Sequence, residues 1–218
     1  SYYYVPVAFW ENQRHYVEIM VEKIDLKTLF RHVCLEYHTP LTNAKGWSDI
    51  HSRAAMMERF AYWEREGKEC VLLYCGDLDP GGLNISDFFR SNLTDLEGAV
   101  GWYPRSLIID RFGLNYSFIE ANKLSWIDNL ETSSRGRLDD PKHTDHGKPY
   151  VQSYIRQFGA RKVEANALVT RPQEGRALCK QAILKYVDHH AAQEYNDFID
   201  EQQEEVRGHI IQLMGATQ

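Results

Sequence analysis

The clearest structural signal in this chain is CVLLYCGDLDPGG, residues 70–82. Residues 70–74 form a short apolar run of the kind found in a fully buried strand, and the carboxylates of Asp77 and Asp79 follow it closely. Pro80 stiffens the turn, and the two glycines after it allow the backbone to approach a bound group. The segment therefore predicts a buried strand that ends in an acidic turn.

The sequence on either side alternates between strand and helix patterns. In chain order the patterns predict a strand over 16–22, a helix capped by Asp25, a short strand over 39–42, a helix opened by Ser48 or Asp49, the strand over 70–74, a helix beginning near 84–86, a strand over 106–110, a polar surface loop over 130–149, a helix over 151–158, a strand over 162–165 and a helix from Gln173 onward. Such alternation with short connections is typical of a parallel sheet covered by helices. We therefore predict an α/β fold with a Rossmann-like, mostly parallel sheet flanked by helices and a helical C-terminal extension.

Composition excludes several classes of protein. The 218 residues are 43% hydrophobic and 26% charged, as in ordinary globular domains rather than in disordered or collagen-like chains. No apolar run approaches the roughly 18 residues that a bilayer-spanning helix needs, so no membrane association is expected. The four cysteines form no CxxC pair, which favours reduced, buried thiols in a cytoplasmic protein over disulfides or a zinc site.

The charge distribution is uneven. The net charge is −6, yet residues 105–171 carry 11 basic and 8 acidic side chains, whereas both flanks are net negative. A globally basic clamp around DNA is therefore excluded. Two interpretations stay open: a local basic surface beside an acidic pocket, or an ordinary mixed surface.

Three carboxylates follow two of the predicted strands. Glu22 ends the first strand, and Asp77 and Asp79 follow the strand over 70–74. Ligands of a parallel sheet bind beyond the carboxyl ends of its strands, so these side chains are expected at one crevice. Their mutual repulsion would be relieved by a hard divalent cation such as Mg²⁺, which prefers oxygen ligands. A lone Glu at a strand end, or an isolated Asp-x-Asp turn, is common, so the prediction depends on their combination.

That combination, VEK at residues 21–23 and GDLDPGG at 76–82, resembles the Toprim domain, the metal-binding module shared by topoisomerases, primases and some nucleases. Within that group the chain is most similar to the A subunit of topoisomerase VI, its Spo11-like relatives and the mini-A, phage and plasmid Toprim proteins. Weaker similarity extends the resemblance to roughly residues 16–170, through the segments 45–48, 111–114 and 162–168.

The resemblance implies a Toprim-type fold and a site for Mg²⁺, with Mn²⁺ as an alternative, formed by Glu22, Asp77 and Asp79. Glu22 is further implied as the general acid or base in phosphodiester cleavage or rejoining. Lys23 and Arg111 are implied as contacts to phosphate or DNA, and a surface ion pair is the alternative interpretation of both.

Two features depart from the family pattern. Glu164 is expected at the edge of the metal site, but Asn166 stands where the relatives have a second acidic residue, which argues against a second metal. In the relatives a winged-helix domain precedes the Toprim region and carries the tyrosine that attacks DNA. Only 21 residues precede Glu22, so residues 2–4 (YYY) are expected to form an aromatic arm, not the nucleophile.

The expected organisation is an N-terminal arm over 1–15, a Toprim-like domain over 16–172 and a helical extension over 173–218. The expected function is Mg²⁺-dependent phosphodiester cleavage and rejoining on DNA, as the Toprim part of a topoisomerase VI A-like protein. The alternatives are a Toprim nuclease that uses water and a non-catalytic DNA-binding or scaffold module. Expected partners are DNA, a second copy of the chain and an ATPase subunit, in the cytoplasm or at the nucleoid.

Overall fold

The computed structural model describes residues 8–44, 49–132 and 136–215. The described residues form one four-stranded parallel sheet with the order β2-β1-β3-β4. Its strands are β1 (His15–Val21), β2 (Leu41–Asn43), β3 (Glu69–Cys75) and β4 (Ile108–Gly113). The predictions for residues 2–4 and 45–48 lie outside the described residues.

Helices follow the strands along the chain. The described helices are α1 (Ile24–Glu36), α2 (Ile50–Arg65), α3 (Pro80–Leu83), α4 (Ile85–Thr94), α5 (Glu97–Val100), α6 (Tyr116–Asn122), α7 (Pro149–Phe158), α8 (Pro172–Leu184) and α9 (Ala191–Gly215), with 3₁₀ helices at Phe9–Asn12 and Ala165–Thr170. None of these described helices combines the length and apolar character needed to cross a bilayer.

The two central strands carry the core. In β1 and β3, six of the seven residues are buried, so side chains pointing to both faces of the sheet are covered. α1 packs against α8 and the second 3₁₀ helix, whereas α2 packs against β3. The predicted α/β class, a parallel sheet flanked by helices with a C-terminal helix, is confirmed.

The strand order places a topological switch point between β1 and β3. The chain leaves β1 for the edge strand β2 and then crosses to β3 on the other side of β1. The register pairs Val21 with Cys75, so the two strands end side by side. In open α/β sheets, ligands bind in the crevice at such a point, beyond the carboxyl ends of the strands.

Some predicted boundaries are corrected by the structure. Asp49 caps α2 as predicted, its side chain accepting hydrogen bonds from the amides of His51 and Ser52. Asp25 does not cap α1: the cap is Lys23, in an extended conformation, and Asp25 lies in the first turn. The helix predicted from Gln173 onward is two helices, α8 and α9, separated by a turn.

The strand predicted over 162–165 does not join the sheet. Val163 instead forms an isolated antiparallel bridge with Leu78, and Lys162 forms one with Ile127. Residues 162–165 therefore cross in front of the acidic turn instead of extending the sheet. The prediction was wrong because a short apolar-polar alternation suits any extended segment.

The last helix has two distinct halves. Ala191 is buried and Tyr195 packs edge-on against Phe9, with ring centroids 5.5 Å apart. From residue 203 to residue 214 every side chain is exposed, Ile210 and Ile211 among them. The second half of α9 therefore extends away from the body of the molecule.

Candidate functional site

Glu22 and Asp77 meet at the switch point. The amide of Glu22 donates to the carbonyl oxygen of Cys75 at 2.9 Å, which continues the pairing of β1 with β3 by one residue. The amide of Asp77 in turn donates to Glu22 Oε2 at 2.7 Å. The Tyr74 hydroxyl also donates to Glu22 Oε2, at 3.3 Å. The carboxylate at the end of one strand is thus held by the turn that follows its neighbour.

The Asp77 side chain is fixed on both oxygens. Its Oδ1 accepts a hydrogen bond from the Ala165 amide at 2.7 Å, and its Oδ2 lies 3.2 Å from Lys23 Nζ. Only 4% of Asp77 is exposed. A buried carboxylate needs such partners, since burying an unpaired one destabilises the folded state by roughly several kcal/mol.

Lys23 lies between two carboxylates. Its Nζ is 3.2 Å from Asp77 Oδ2 and 3.5 Å from Glu22 Oε1. Burial by itself lowers the pKa of Lys23, but the charges of Asp77 and Glu22 outweigh burial and raise that pKa overall. Lys23 therefore stays protonated and acts as an internal counterion. The ion pair, one of the two interpretations of Lys23, is therefore present in this structure.

Asp79 lies one turn further on. Its Oδ1 accepts a hydrogen bond from the Gly82 amide at 2.5 Å, so Asp79 caps the short helix α3. Burial, with a smaller contribution from the Asp77 charge, raises the pKa of Asp79. Burial and then the Asp77 charge raise the pKa of Glu22 in the same direction. Burial therefore disfavours the ionised form of both carboxyl groups.

Arg111 lies beneath the acidic turn. Its guanidinium donates to the carbonyl oxygens of Asp77 at 2.8 Å and Leu114 at 2.5 Å, and to Asn115 Oδ1 at 3.0 Å. Arg111 is not among the residues that line the cavity described next. Its geometry is that of a residue that positions the turn.

The three carboxylates open into one cavity of about 530 Å³. Its described lining carries six carboxylates and two ammonium groups, an excess of negative charge: Glu22, Asp77, Asp79, Glu131, Asp145, Glu164, Lys23 and Lys162. Glu164 is one of these lining residues, and its Oε1 lies 3.6 Å from Lys162 Nζ. The structure therefore brings together Glu22, Lys23, Asp77, Asp79 and Glu164.

The donor set suits Mg²⁺ in chemical type. Carboxylate oxygens are its preferred protein ligands, and one or two of them, with water, usually suffice. Within the described residues, however, no three His, Cys, Asp or Glu side chains are arranged to hold a metal ion. The ammonium of Lys23 stands between Glu22 and Asp77, where it satisfies oxygens that a metal would otherwise take.

Sequence reasoning missed several residues of the site. Ala165 contributes only a backbone amide, which no side-chain pattern reveals. Lys162 and Tyr150 line the cavity from segments far along the chain. The one available signal was that the polar stretch over 130–149 is unusually long for a connecting loop, and such loops are often functional.

Comparison with protein-family models, with curated proteins and with solved structures finds no match to this chain. The geometry of the cavity and the chemistry of its side chains therefore carry the functional argument.

The acidic turn requires glycine at position 82. A Cβ added there would overlap the Asp77 carbonyl oxygen, whereas one added at Gly81 would lie at an ordinary 3.5 Å from Asp79 Oδ1. We expect Gly82→Ala to lower the free energy of unfolding by about 1–3 kcal/mol, because the turn must shift to relieve the overlap. The matched control Gly81→Ala is expected to change it by less than about 0.5 kcal/mol. Equal urea-denaturation midpoints for the two variants would contradict this expectation.

Proposed function

We propose that this chain carries out Mg²⁺-dependent phosphodiester cleavage on DNA, with Glu22, Asp77 and Asp79 holding the metal after the Lys23 ammonium moves off the Glu22 and Asp77 oxygens. The observation that carries the proposal is the position of these three carboxylates, which line one cavity at the switch point between β1 and β3. Only one ammonium group, that of Lys23, lies within ion-pair distance of them among the described residues. The surplus negative charge supports binding of a cation.

The metal would polarise a phosphate oxygen and neutralise the charge that develops during cleavage. Glu22 is suited to move a proton at the reacting oxygen, because its carboxylate lines the cavity and burial raises its pKa above the usual value of a glutamate. The Asp77 amide and the Tyr74 hydroxyl orient its Oε2. Arg111 stabilises the turn that carries Asp77 by donating a hydrogen bond to the Asp77 carbonyl oxygen.

One ammonium group of the cavity lining is suited to a flanking phosphate. Lys162 lines the cavity, and its Nζ lies 3.3 Å from the Glu131 carbonyl oxygen. It belongs to the segment 105–171, which has a net positive charge in an otherwise acidic chain. An ammonium at this position can contact a phosphate next to the one that is cut, while the metal compensates for the acidic cavity.

The proposal is tested with supercoiled plasmid DNA incubated with the purified chain in Mg²⁺, in Mn²⁺ and in EDTA. We expect nicked circles in the presence of either metal and none in EDTA. Relaxed, closed circles would indicate cleavage with rejoining, whereas nicked circles indicate hydrolysis by water. DNA that is bound but never cut would contradict the proposal and favour the scaffold alternative. Calorimetric titration with Mg²⁺ in the absence of DNA provides a separate measurement of metal binding.

A further inference from the structure

A second cleft, of about 400 Å³, adjoins the acidic cavity. The two share four lining residues, which are Glu22, Asp79, Gly81 and Tyr150. A ligand with a phosphate in the acidic cavity would therefore have its neighbouring group directly beside this cleft. The volume of the second cleft lies within the range of about 300–1,000 Å³ that is usual for small-molecule sites. The cleft therefore has room for a single nucleoside.

The second cleft differs from the acidic cavity in its chemistry. Apart from the shared Glu22 and Asp79, its described lining carries no charged side chain. The remaining side chains are mostly aromatic or aliphatic, and the residues concerned are Ala44, Tyr74, Gly82, Asn84, Ile85, Phe88 and Tyr150. Such a surface suits an uncharged, flat group instead of a second phosphate.

Phe88 is the exposed aromatic of this cleft. It lies on α4 with 51% of its surface exposed, whereas the adjacent Phe89 is buried against Tyr74, with ring centroids 5.2 Å apart. In proteins that bind single-stranded nucleic acids, aromatic side chains beside the groove for the sugar-phosphate backbone stack on the bases. One such stack accounts for a substantial part of the affinity for the nucleic acid. The face of Phe88 is therefore available to a base.

Asn84 adds a polar group at the start of the same helix. It occupies the N-cap position of α4, but its side chain makes no capping hydrogen bond. A side-chain amide carries both donors and an acceptor, as the edge of a nucleobase does. The cleft thus offers both a stacking face and a hydrogen-bonding group.

We propose that the second cleft binds one unpaired nucleobase next to the phosphate that is cut, so that the preferred substrate is single-stranded DNA or a nucleotide turned out of a duplex. This inference rests on the proposed phosphodiester function. A base that is paired and stacked inside a duplex cannot reach Phe88 without leaving the stack, which costs a few kcal/mol and disfavours intact duplex.

The test measures binding of a fluorescein-labelled oligonucleotide, single-stranded or annealed to its complement, by anisotropy in Ca²⁺. We expect the single strand to bind more tightly than the duplex. Phe88→Ala should weaken single-strand binding by roughly 5- to 150-fold, the effect of one base–aromatic stack, with a smaller effect on the duplex. Phe88→Trp should retain the affinity, since it retains the stacking face.

Tyr62→Ala provides the matched control, because Tyr62 is an aromatic of similar exposure, 48%, that lies on α2 and does not line the cleft. A second readout uses 2-aminopurine in the single strand, whose fluorescence is quenched by stacking. We expect quenching with the wild type and the Tyr62→Ala control, and its loss with Phe88→Ala. Thermal melting verifies that each variant is folded.

The outcomes separate the two proposals. If the plasmid is nicked but Phe88→Ala changes neither single-strand binding nor quenching, the nucleobase site is wrong and the phosphodiester function stands. If the wild type neither nicks the plasmid nor binds either form of DNA, both proposals are wrong. Selective loss of single-strand binding and of quenching in Phe88→Ala supports the nucleobase site.

Discussion

Replacement of Asp79 by asparagine is expected to reduce metal-dependent DNA cleavage by at least roughly 100-fold, the usual effect of losing one electrostatic contributor in an active site. Asparagine is as good an N-cap as aspartate, so its side-chain oxygen can still accept the hydrogen bond from the Gly82 amide. Burial raises the pKa of Asp79, which means that the fold disfavours its charge. In metal-free buffer we therefore expect Asp79→Asn to melt at the same temperature as the wild type or higher.

Three measurements test this expectation: the initial rate of plasmid nicking, calorimetric Mg²⁺ affinity and the melting temperature in EDTA. Asp188→Asn is the matched control, because Asp188 also accepts a backbone hydrogen bond, from the His190 amide at 2.8 Å, but does not line the cavity. The control should nick plasmid at close to the wild-type rate. Full Mg²⁺ affinity and full nicking activity in Asp79→Asn would refute the assignment of Asp79 as a metal ligand.

The largest effect on stability is expected from Arg59→Ala. Glu18 lies in β1 with none of its surface exposed, and its carboxylate accepts hydrogen bonds from Arg59 Nε at 2.7 Å and Nη2 at 2.8 Å. The Tyr16 hydroxyl donates a third, at 2.9 Å. Removing the guanidinium leaves a buried carboxylate without its countercharge, which costs about 3–5 kcal/mol in the free energy of unfolding.

Urea denaturation of the wild type and Arg59→Ala measures this loss. The double variant Glu18→Leu with Arg59→Met removes both charges together, and replacing a buried ion pair by apolar residues is often neutral. We therefore expect the double variant to recover most of the stability. A loss of less than about 1 kcal/mol in Arg59→Ala would show that water or another group compensates Glu18.

The fold was largely predictable because its central strands are apolar runs, interrupted only by Glu18 in β1. Residues 16–21 and 70–75 are buried on both faces, and such runs bounded by turns and helices indicate a parallel sheet without further information. The proximity of Glu22 to Asp77 followed from the same logic, since parallel strands end at the same edge. Here local pattern and tertiary structure agree.

The remainder of the site depends on contacts that no local pattern shows. The Ala165 amide reaches Asp77 across 88 positions of the chain, and Arg111 uses backbone carbonyl oxygens as its acceptors. Asp25 was predicted to cap α1 from its intrinsic preference. The cap is Lys23 instead, and its ammonium forms an ion pair with Asp77. Tertiary contacts override local preference at these positions.

The half of α9 beyond residue 202 increases the hydrodynamic drag of the molecule more than its mass. At 1.5 Å per residue, the twelve exposed residues 203–214 extend about 18 Å into solvent. A protrusion of that length increases the hydrodynamic radius, so a single copy of this 25.4 kDa chain will leave a gel-filtration column earlier than a sphere of equal mass. Elution volume by itself would overstate the mass of one copy, and light scattering is the measurement that gives the true mass.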